Sequence, residues 1–282
     1  SVCPIFLLGL IEDLGFSIAP LKRLMASIMS GALVIWYFEV WIQGVGLPLV
    51  DNFLSVGLIG MIFTLIATAG VVNAFNLIDG LNGLASFTGI STAIALSFIA
   101  FEIHQVEVLR FLFIFSACIL GFMFLNFPAG KIFLGDAGAY TIGHLLVWSA
   151  IILVNQSSEV SPFAILLIFF WPVADTLLAI WRRLKQKKRA YHPDRLHFHQ
   201  LVMRFLEIRF VGRSQRWLSN PLATTVLAPF VMMPQIIGVV FWNDFGVTLW
   251  ATVIITILFL FFYSVGVKVA KNGAVFGSKR EI

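Results

Sequence analysis

Apolar runs of about 20 residues recur along the whole chain, and each is long enough to cross a lipid bilayer as a helix. Backbone groups inside a bilayer have no water to bond, so each run is expected to close its own hydrogen bonds as an α-helix. With 60% hydrophobic and only 12% charged residues, the composition argues against a water-soluble fold. The sequence predicts an all-α, polytopic integral membrane protein with eight spans near residues 24–42, 53–72, 84–103, 108–127, 140–155, 162–181, 222–241 and 246–266.

The first residues form a short apolar stretch, 2–11, without an initiating Met or the charged start of a signal peptide. We interpret this stretch as the end of a truncated span and expect the first spans to be missing. Residues 1–282 are then one membrane-embedded domain, whose largest polar segment is a basic loop over 182–220.

Basic residues indicate the orientation of the spans. All of the 19 Lys and Arg residues except Arg110 fall in loops that alternate onto one side, which the positive-inside rule assigns to the cytosol. These charges flank spans and can bind anionic lipid headgroups. They lack the interleaved aromatic residues of a strand-binding groove, so nucleic acid is not an expected partner. Cys3 and Cys118 show no spacing typical of disulfide frameworks or zinc sites.

Polar residues gather in three cytosolic loops. Glu12 and Asp13 are neighbouring carboxylates that suit Mg²⁺ or a base near a lipid phosphate, and a helix cap is the plainer alternative. The loop over 73–84 offers amides and glycines suited to a sugar, a nucleotide or phosphates, or it forms a simple turn. Its candidates are Asn73, Asn76, Asp79 and Asn82.

A third loop contains Lys131 and Asp136, and small residues beside Asp136 leave it accessible to a bulky ligand. Mg²⁺ often takes one or two protein carboxylates and completes its shell with phosphate oxygens, so this loop suits a metal-bridged diphosphate. A solvated loop aspartate is the alternative.

Asp175 lies inside the sixth predicted span, where an ionisable group is expensive and therefore a functional candidate. A pair with Arg182 or Arg183 is the structural alternative. The basic loop also carries Asp194, Arg195, His197 and His199. The histidines lack further ligands for a zinc shell, whereas Arg195 offers a bidentate fork for phosphate, so a phosphate or uridine contact is favoured.

Residues 73–84, 133–139 and 193–199 together resemble motifs of the polyprenyl-phosphate N-acetylhexosamine-1-phosphate transferases, a family that includes O-antigen initiating enzymes. The resemblance runs from about residue 8 to the end of the basic loop. It implies transfer of a sugar 1-phosphate from a UDP-N-acetylhexosamine to undecaprenyl phosphate, with release of UMP and a requirement for Mg²⁺. It also implies a location in the bacterial inner membrane, with the active site facing the cytosol, and a role in initiating a cell-envelope polysaccharide. Whether the chain forms a homodimer is left open by the resemblance.

The resemblance assigns roles by position. It implies catalytic roles for Glu12, Asp13, Asp79 and Asp136. Asp136 would be the metal ligand, and Asp13 would contact the lipid phosphate or deprotonate it. It implies that the UDP-sugar contacts Asn73, Asn76, Asp79 and the histidine motif with Asp194, Arg195, His197 and His199. Further candidates for substrate binding, taken from the residues themselves, are Asn82, Lys131, Asp175, Arg182 and Arg183. Two positions depart from the family pattern, which has aspartate where this chain has Glu12 and Asn82.

Three other functions remain open at this point. A transporter or flippase of a lipid-linked or phosphorylated sugar would bind its cargo at Asp175 and the amide-lined loops, although such folds usually place polar residues near the bilayer midplane. An intramembrane prenyltransferase would use the acidic clusters to hold a metal-bound diphosphate. A catalytically degenerate homologue is the third, because Asn82 lacks a charge.

Overall fold

A computed structural model describes residues 1–185, 196–212 and 215–277, with side chains up to residue 269. The chain is 81% helical, and no strand occurs in the described ranges, which confirms the all-α prediction. The helices are α1 (Cys3–Asp13), α2 (Pro20–Phe38), α3 (Pro48–Leu54), α4 (Gly57–Ile78), α5 (Leu84–Glu102), α6 (Val106–Asn126), α7 (Gly135–Gln156), α8 (Pro162–Ile168), α9 (Phe170–Lys185), α10 (Phe198–Leu206), α11 (Arg216–Val240) and α12 (Phe245–Gly277).

Seven helices in the described ranges are long and apolar enough to cross a membrane: α2, α4, α5, α6, α7, α11 and the part of α12 over Phe245–Val269. They coincide with seven of the eight predicted spans, with shifted ends. The sixth predicted span is not one straight helix. It is the pair α8 and α9, which meet at an 81° bend, so a continuous span over 162–181 was wrong.

The bend coincides with a break in the helical pattern at Phe169. Proline at the first position of α8 fixes where that short helix begins. A buried glutamine from α11 then bonds the last carbonyl of α8: Gln235 Nε2 donates to Ile168 O at 3.2 Å and to Thr92 Oγ1 at 3.1 Å. Inside a bilayer a broken helix needs such partners for its freed backbone groups.

The centre of the bundle is formed by α5 and α7. In the most apolar stretch of each helix, 67% and 72% of the residues are buried, respectively. The helices α1 and α4 pack along α7, while α6 pairs with α5 and α8 with α11. In the most apolar stretches of α6 and α12, only 11% and 17% of the residues are buried. Apolar side chains on these two helices therefore face outward, as expected of surfaces that contact lipid.

The basic segment over 182–220 is not simply a loop. Its first residues continue α9, and α10 and a π-helical turn over Glu207–Val211 follow before α11 begins. The helix α10 buries Phe198, His199 and Leu201 against α11 and α12, which fixes this segment to the bundle.

Candidate active site

The first feature of the site is a carboxylate from α1 that caps the start of α7. Asp13 Oδ1 accepts the N–H of Asp136 at 2.7 Å, and Oδ2 accepts the N–H of Ala137 at 3.1 Å. These donors are otherwise unpaired at a helix start, where the helix dipole also favours an anion. The residue preceding α7, Leu134, gives no side-chain cap. Asp13 therefore performs that function across 123 residues of sequence.

Two glycines allow this close approach. A Cβ added to Gly9 would lie 2.6 Å from Ala137 Cα, so only glycine lets α1 meet the backbone of α7. Gly135 has φ +70°, and a Cβ there would lie 2.6 Å from Asp13 Oδ2. The sequence thus places small residues where the carboxylate and the two backbones converge.

The asparagine-rich loop reaches the same point from α4. Asn76 Nδ2 donates to Asp136 Oδ1 at 2.6 Å. Asp79 follows directly after the last residue of α4. Acidic or amide side chains from three loops, which the sequence predicted to act together, therefore meet at the ends of α1, α4 and α7.

Negative charge accumulates in this cluster, which we define as Glu12, Asp13, Asp79 and Asp136. Glu12 forms an ion pair with Arg23, and the other three have no ion pair within the described ranges. Burial, and then the charges of Asp136 and Asp13, raise the pKa of Asp79 to about 7. Burial and the neighbouring Asp136 raise the pKa of Glu12 to about 7, against the opposing effect of Arg23. The cluster is thus short of positive charge.

Asn82 holds two loops together. Its N–H donates to Asn220 Oδ1 at 2.7 Å, its Nδ2 donates to Pro128 O at 3.0 Å, and its carbonyl accepts the Thr224 hydroxyl at 2.8 Å. Asn126 adds a parallel link, because its Oδ1 accepts the N–H of Gly83 at 2.6 Å. These contacts give Asn82 a packing role; the predicted contact with substrate stays a prediction.

A second polar group lies between α9 and α10. The carboxylate of Asp175 is fully buried, and its Oδ1 accepts the N–H of Phe198 at 3.0 Å. Its Oδ2 lies 3.0 Å from His197 Nδ1 and 3.6 Å from His199 Nδ1. Asp175 thus contacts both of the histidines that the sequence singled out.

The remaining candidates are more peripheral. Lys131 is exposed, and the Asn73 amide donates to the Ala69 carbonyl of its own helix at 2.8 Å. The Arg182 guanidinium lies 5.3 Å from the centre of the Tyr263 ring, and Arg183 is half-buried. Asp194 and Arg195 lie outside the described residues.

Several residues in this region were missed by the sequence reasoning. Arg23 was treated only as part of the cytosolic charge, and Asn126, Asn220 and Thr224 were not considered. A polar residue at the last position of an apolar span, as Asn126 is, offers a usable signal. The Arg23 pair and the anchors on α11 depend on tertiary contacts that leave no local pattern.

Residues 1–154, more than half of the chain, match the family described as glycosyl transferase family 4. The chain belongs to glycosyl transferase family 4. The match includes Asp13, Asn76, Asp79 and Asp136, the residues that converge at the start of α7, and it ends before Asp175 and the histidines. The predicted family is confirmed.

Among the relatives of this family 4 chain is the decaprenyl-phosphate N-acetylglucosaminephosphotransferase of Mycobacterium tuberculosis, 29% identical over 236 residues, which cover 74% of this chain and 55% of the relative. Another is the undecaprenyl-phosphate alpha-N-acetylglucosaminyl 1-phosphate transferase of Escherichia coli K12, 27% identical over 274 residues, covering 95% of this chain and 71% of the relative. The chain spans about half the length of its mycobacterial relatives.

Proposed function

We propose that this family 4 chain transfers a sugar 1-phosphate from a UDP-N-acetylhexosamine to undecaprenyl phosphate, releasing UMP. One observation carries the proposal: the hydrogen-bonded group Asn76, Asp136 and Asp13 gathers carboxylates from separate loops at one cluster of helix ends. The names of the relatives support a polyprenyl-phosphate acceptor and an N-acetylglucosamine phosphate donor. The product would begin O-antigen or another cell-envelope polysaccharide on the cytosolic side of the inner membrane.

Phosphoryl transfer depends on positioning and charge neutralisation more than on covalent chemistry. Asp13 orients the start of α7 through two backbone bonds and thereby fixes where Asp136 stands. Asn76 donates to one oxygen of Asp136, and the Glu12 carboxyl shares a hydrogen bond with the Asp136 side chain. Backbone N–H groups at the start of α7 already bind one anion, the Asp13 carboxylate.

The residues present fit Mg²⁺, which the family resemblance implies. Three carboxylates of the cluster lack an ion pair in the described part of the chain, and burial, followed by repulsion from Asp136 and Asp13, raises the pKa of Asp79. No three His, Cys, Asp or Glu side chains in the described ranges are grouped to hold an ion by themselves. This agrees with a metal that takes one or two carboxylates, here Asp136 and Asp79, and completes its shell with phosphate oxygens. When bound, Mg²⁺ would neutralise charge on the transferring phosphate.

An apolar groove supports entry of the lipid acceptor from the side. Its volume is about 320 Å³, and it lies between α4, α7 and the bent pair. Its lining runs from Gly44 and Asn155, at the end remote from the acidic cluster, to Val71 and Val147, which are nearer to it. Val71 precedes Asn76 on α4 by about 7.5 Å along the helix axis. A polyprenyl chain in this groove would remain in hydrocarbon while its phosphate approached the cluster.

The test uses nanodiscs containing the chain, undecaprenyl phosphate, Mg²⁺ and a panel of UDP-N-acetylhexosamines, with UMP release as the readout. Asp136→Asn is expected to lower the rate about 100-fold, and EDTA is expected to abolish it. Glu102→Gln, an exposed carboxylate at the opposite end of α5, serves as the matched control and should keep the wild-type rate. Absence of UMP release with every donor, from protein that elutes as a single folded species, would refute the proposal and favour transport or a degenerate homologue.

A further inference from the structure

Asp175, His197 and His199 form a buried group in which one carboxylate is bonded both to a histidine ring and to the start of α10. The Asp175 carboxylate can only accept hydrogen bonds, so His197 Nδ1 must carry the proton in the 3.0 Å contact. The same carboxylate also accepts the N–H of Phe198, the first residue of α10. One side chain of the membrane helix α9 therefore fixes both a histidine ring and the start of the helix that carries the other histidine.

The two imidazoles are held parallel. Their ring centres lie 5.5 Å apart with 19° between the ring planes, and both Nδ1 atoms face Asp175 Oδ2. Opposite ring edges, with the Nε2 atoms, must then face away from Asp175. Both histidines are at least nine-tenths buried, at 4% and 0% exposure. Rotation of either ring is therefore restricted by the stack and by the carboxylate.

The free edge of His199 faces the acidic loop. A Cβ added to Gly80 would lie 2.7 Å from His199 Nε2, so the ring nitrogen reaches the backbone beside Asp79. His199 Nε2 has no hydrogen-bond partner among the described residues. A buried, unbonded polar atom is costly, and a ligand group at this point would satisfy it.

We propose that Asp175 is a positioning residue. It fixes the tautomer of His197 and the start of α10, so that His197 Nε2 presents an acceptor and His199 Nε2 is held at the Asp79–Gly80 turn, where the donor nucleotide would bind. The tautomer of a histidine is set by the bond made by its other nitrogen. Asp175 touches no substrate in this arrangement. The inference rests on the proposed function in one respect, namely that the ligand is the UDP-sugar.

The decisive variant is Asp175→Asn, which keeps the size of the side chain but turns one acceptor oxygen into a donor. If the remaining oxygen keeps the Phe198 N–H, the amide NH₂ faces His197 Nδ1 and forces it to become an acceptor. His197 Nε2 then carries the proton and repels the donor group whose hydrogen bond it formerly accepted. Asp175→Glu keeps two acceptor oxygens and is the conservative rescue. Thr176→Val is the matched control, because the buried Thr176 hydroxyl has no partner in the described ranges.

Two measurements test the proposal. The first is ¹⁵N NMR of histidine-labelled protein in nanodiscs, where the chain has only five histidines to assign. We expect the wild type, Asp175→Glu and Thr176→Val to show His197 protonated at Nδ1, and Asp175→Asn to show the Nε2 tautomer. The second is UMP release, in which Asp175→Asn should raise the KM for the UDP-sugar about 10-fold or more and leave the KM for undecaprenyl phosphate unchanged.

A double-mutant cycle separates positioning from loss of folding. In a background with His197→Gln and His199→Gln, Asp175→Asn should add little further increase in KM, because its route of action is already removed. An unchanged tautomer in Asp175→Asn, or an equal further loss in the double-histidine background, would overturn the inference. A wild type that releases no UMP with any donor refutes the proposed function instead, and the NMR experiment then still decides the role of Asp175.

Discussion

Asn82 shows how one uncharged side chain can serve two loops at once. Its amide donates to a carbonyl in the loop that leads to Asp136, while its backbone is bonded by Asn220 and Thr224 of α11. The family pattern has aspartate at this position, which left an inactive chain open as an interpretation. In this structure the amide is required as a donor, and a carboxylate cannot supply that hydrogen bond.

We therefore expect Asn82→Asp to be less active than the wild type. The new carboxylate would face Pro128 O, repel it, and loosen the link between the Asp79 loop and the Asp136 loop. UMP release should fall by about 10-fold, since one charge-to-carbonyl repulsion replaces a hydrogen bond worth about 1 kcal/mol.

Asn52→Asp controls for the added charge, because Asn52 is exposed on α3 at the opposite membrane face. A rise in activity in Asn82→Asp would show that a second acidic side chain is used in catalysis, and would contradict the packing role assigned to Asn82.

Individual site residues differed in how far the sequence could predict them. Asp136, Asn76 and Asp13 stood out because amides and carboxylates are rare in so apolar a chain, and the structure brings the three together. The cap that Asp13 makes on α7 could not be predicted, because its donors are backbone groups 123 and 124 residues away. Hydropathy and motif patterns contain no information about such pairings.

The helices α8 and α9 show the limit of hydropathy at the level of elements. Apolar composition over 162–181 predicts one span, and composition cannot report that the chain turns by 81° after Ile168. The carbonyl at the bend is bonded by Gln235, a polar residue on α11 that lies 67 positions further along the sequence. By contrast, the helices α5 and α6 follow from local apolarity alone, and their ends were predicted to within about two residues, whereas α4 begins about four and ends about six residues later than predicted.

Replacing Gln235 tests what supports the bend. Gln235→Leu removes the donor to Ile168 O and to Thr92 Oγ1, and it leaves a buried carbonyl without its partner. We expect a loss of about 1–3 kcal/mol in the free energy of unfolding. Thermal denaturation followed by size-exclusion chromatography in detergent would measure it as a lower midpoint.

Met233→Leu is the matched control on the same helix, since Met233 is 44% exposed and makes no side-chain hydrogen bond in the described ranges. If Gln235→Leu denatures at the same temperature as Met233→Leu, the bend does not depend on the glutamine and the preceding argument is wrong.

At the scale of the whole molecule, the distribution of charge predicts which ends of the helices share a side. The acidic cluster and the histidines lie at the end that, within the described ranges, also carries nearly all the Lys and Arg residues. Loops at the other end contain a polar cavity of about 610 Å³ lined by Gln43, Asn155, Ser158 and Glu159, which is poor in basic residues. On the positive-inside rule we propose that the first end faces the cytosol.

Labelling of single cysteines would test this orientation. In a background with Cys3→Ser and Cys118→Ser, we expect a membrane-impermeant maleimide to label Ser158→Cys in intact spheroplasts. Ala129→Cys should be labelled only after lysis, because α7 separates these two exposed positions across the membrane. Labelling of Ala129→Cys in intact cells, with Ser158→Cys protected, would reverse the assigned sidedness.

The cap on α7 has a consequence for how the protein is made. Ribosomes add about 5–20 residues per second, so Asp13 is synthesised about 6–25 s before the N–H groups that it will bond. Arg23 emerges almost at once and can pair with Glu12, while Asp13 must stay hydrated at the membrane surface until α7 inserts. The order of synthesis therefore keeps this half of the site open until the fifth of the seven long helices has entered the bilayer.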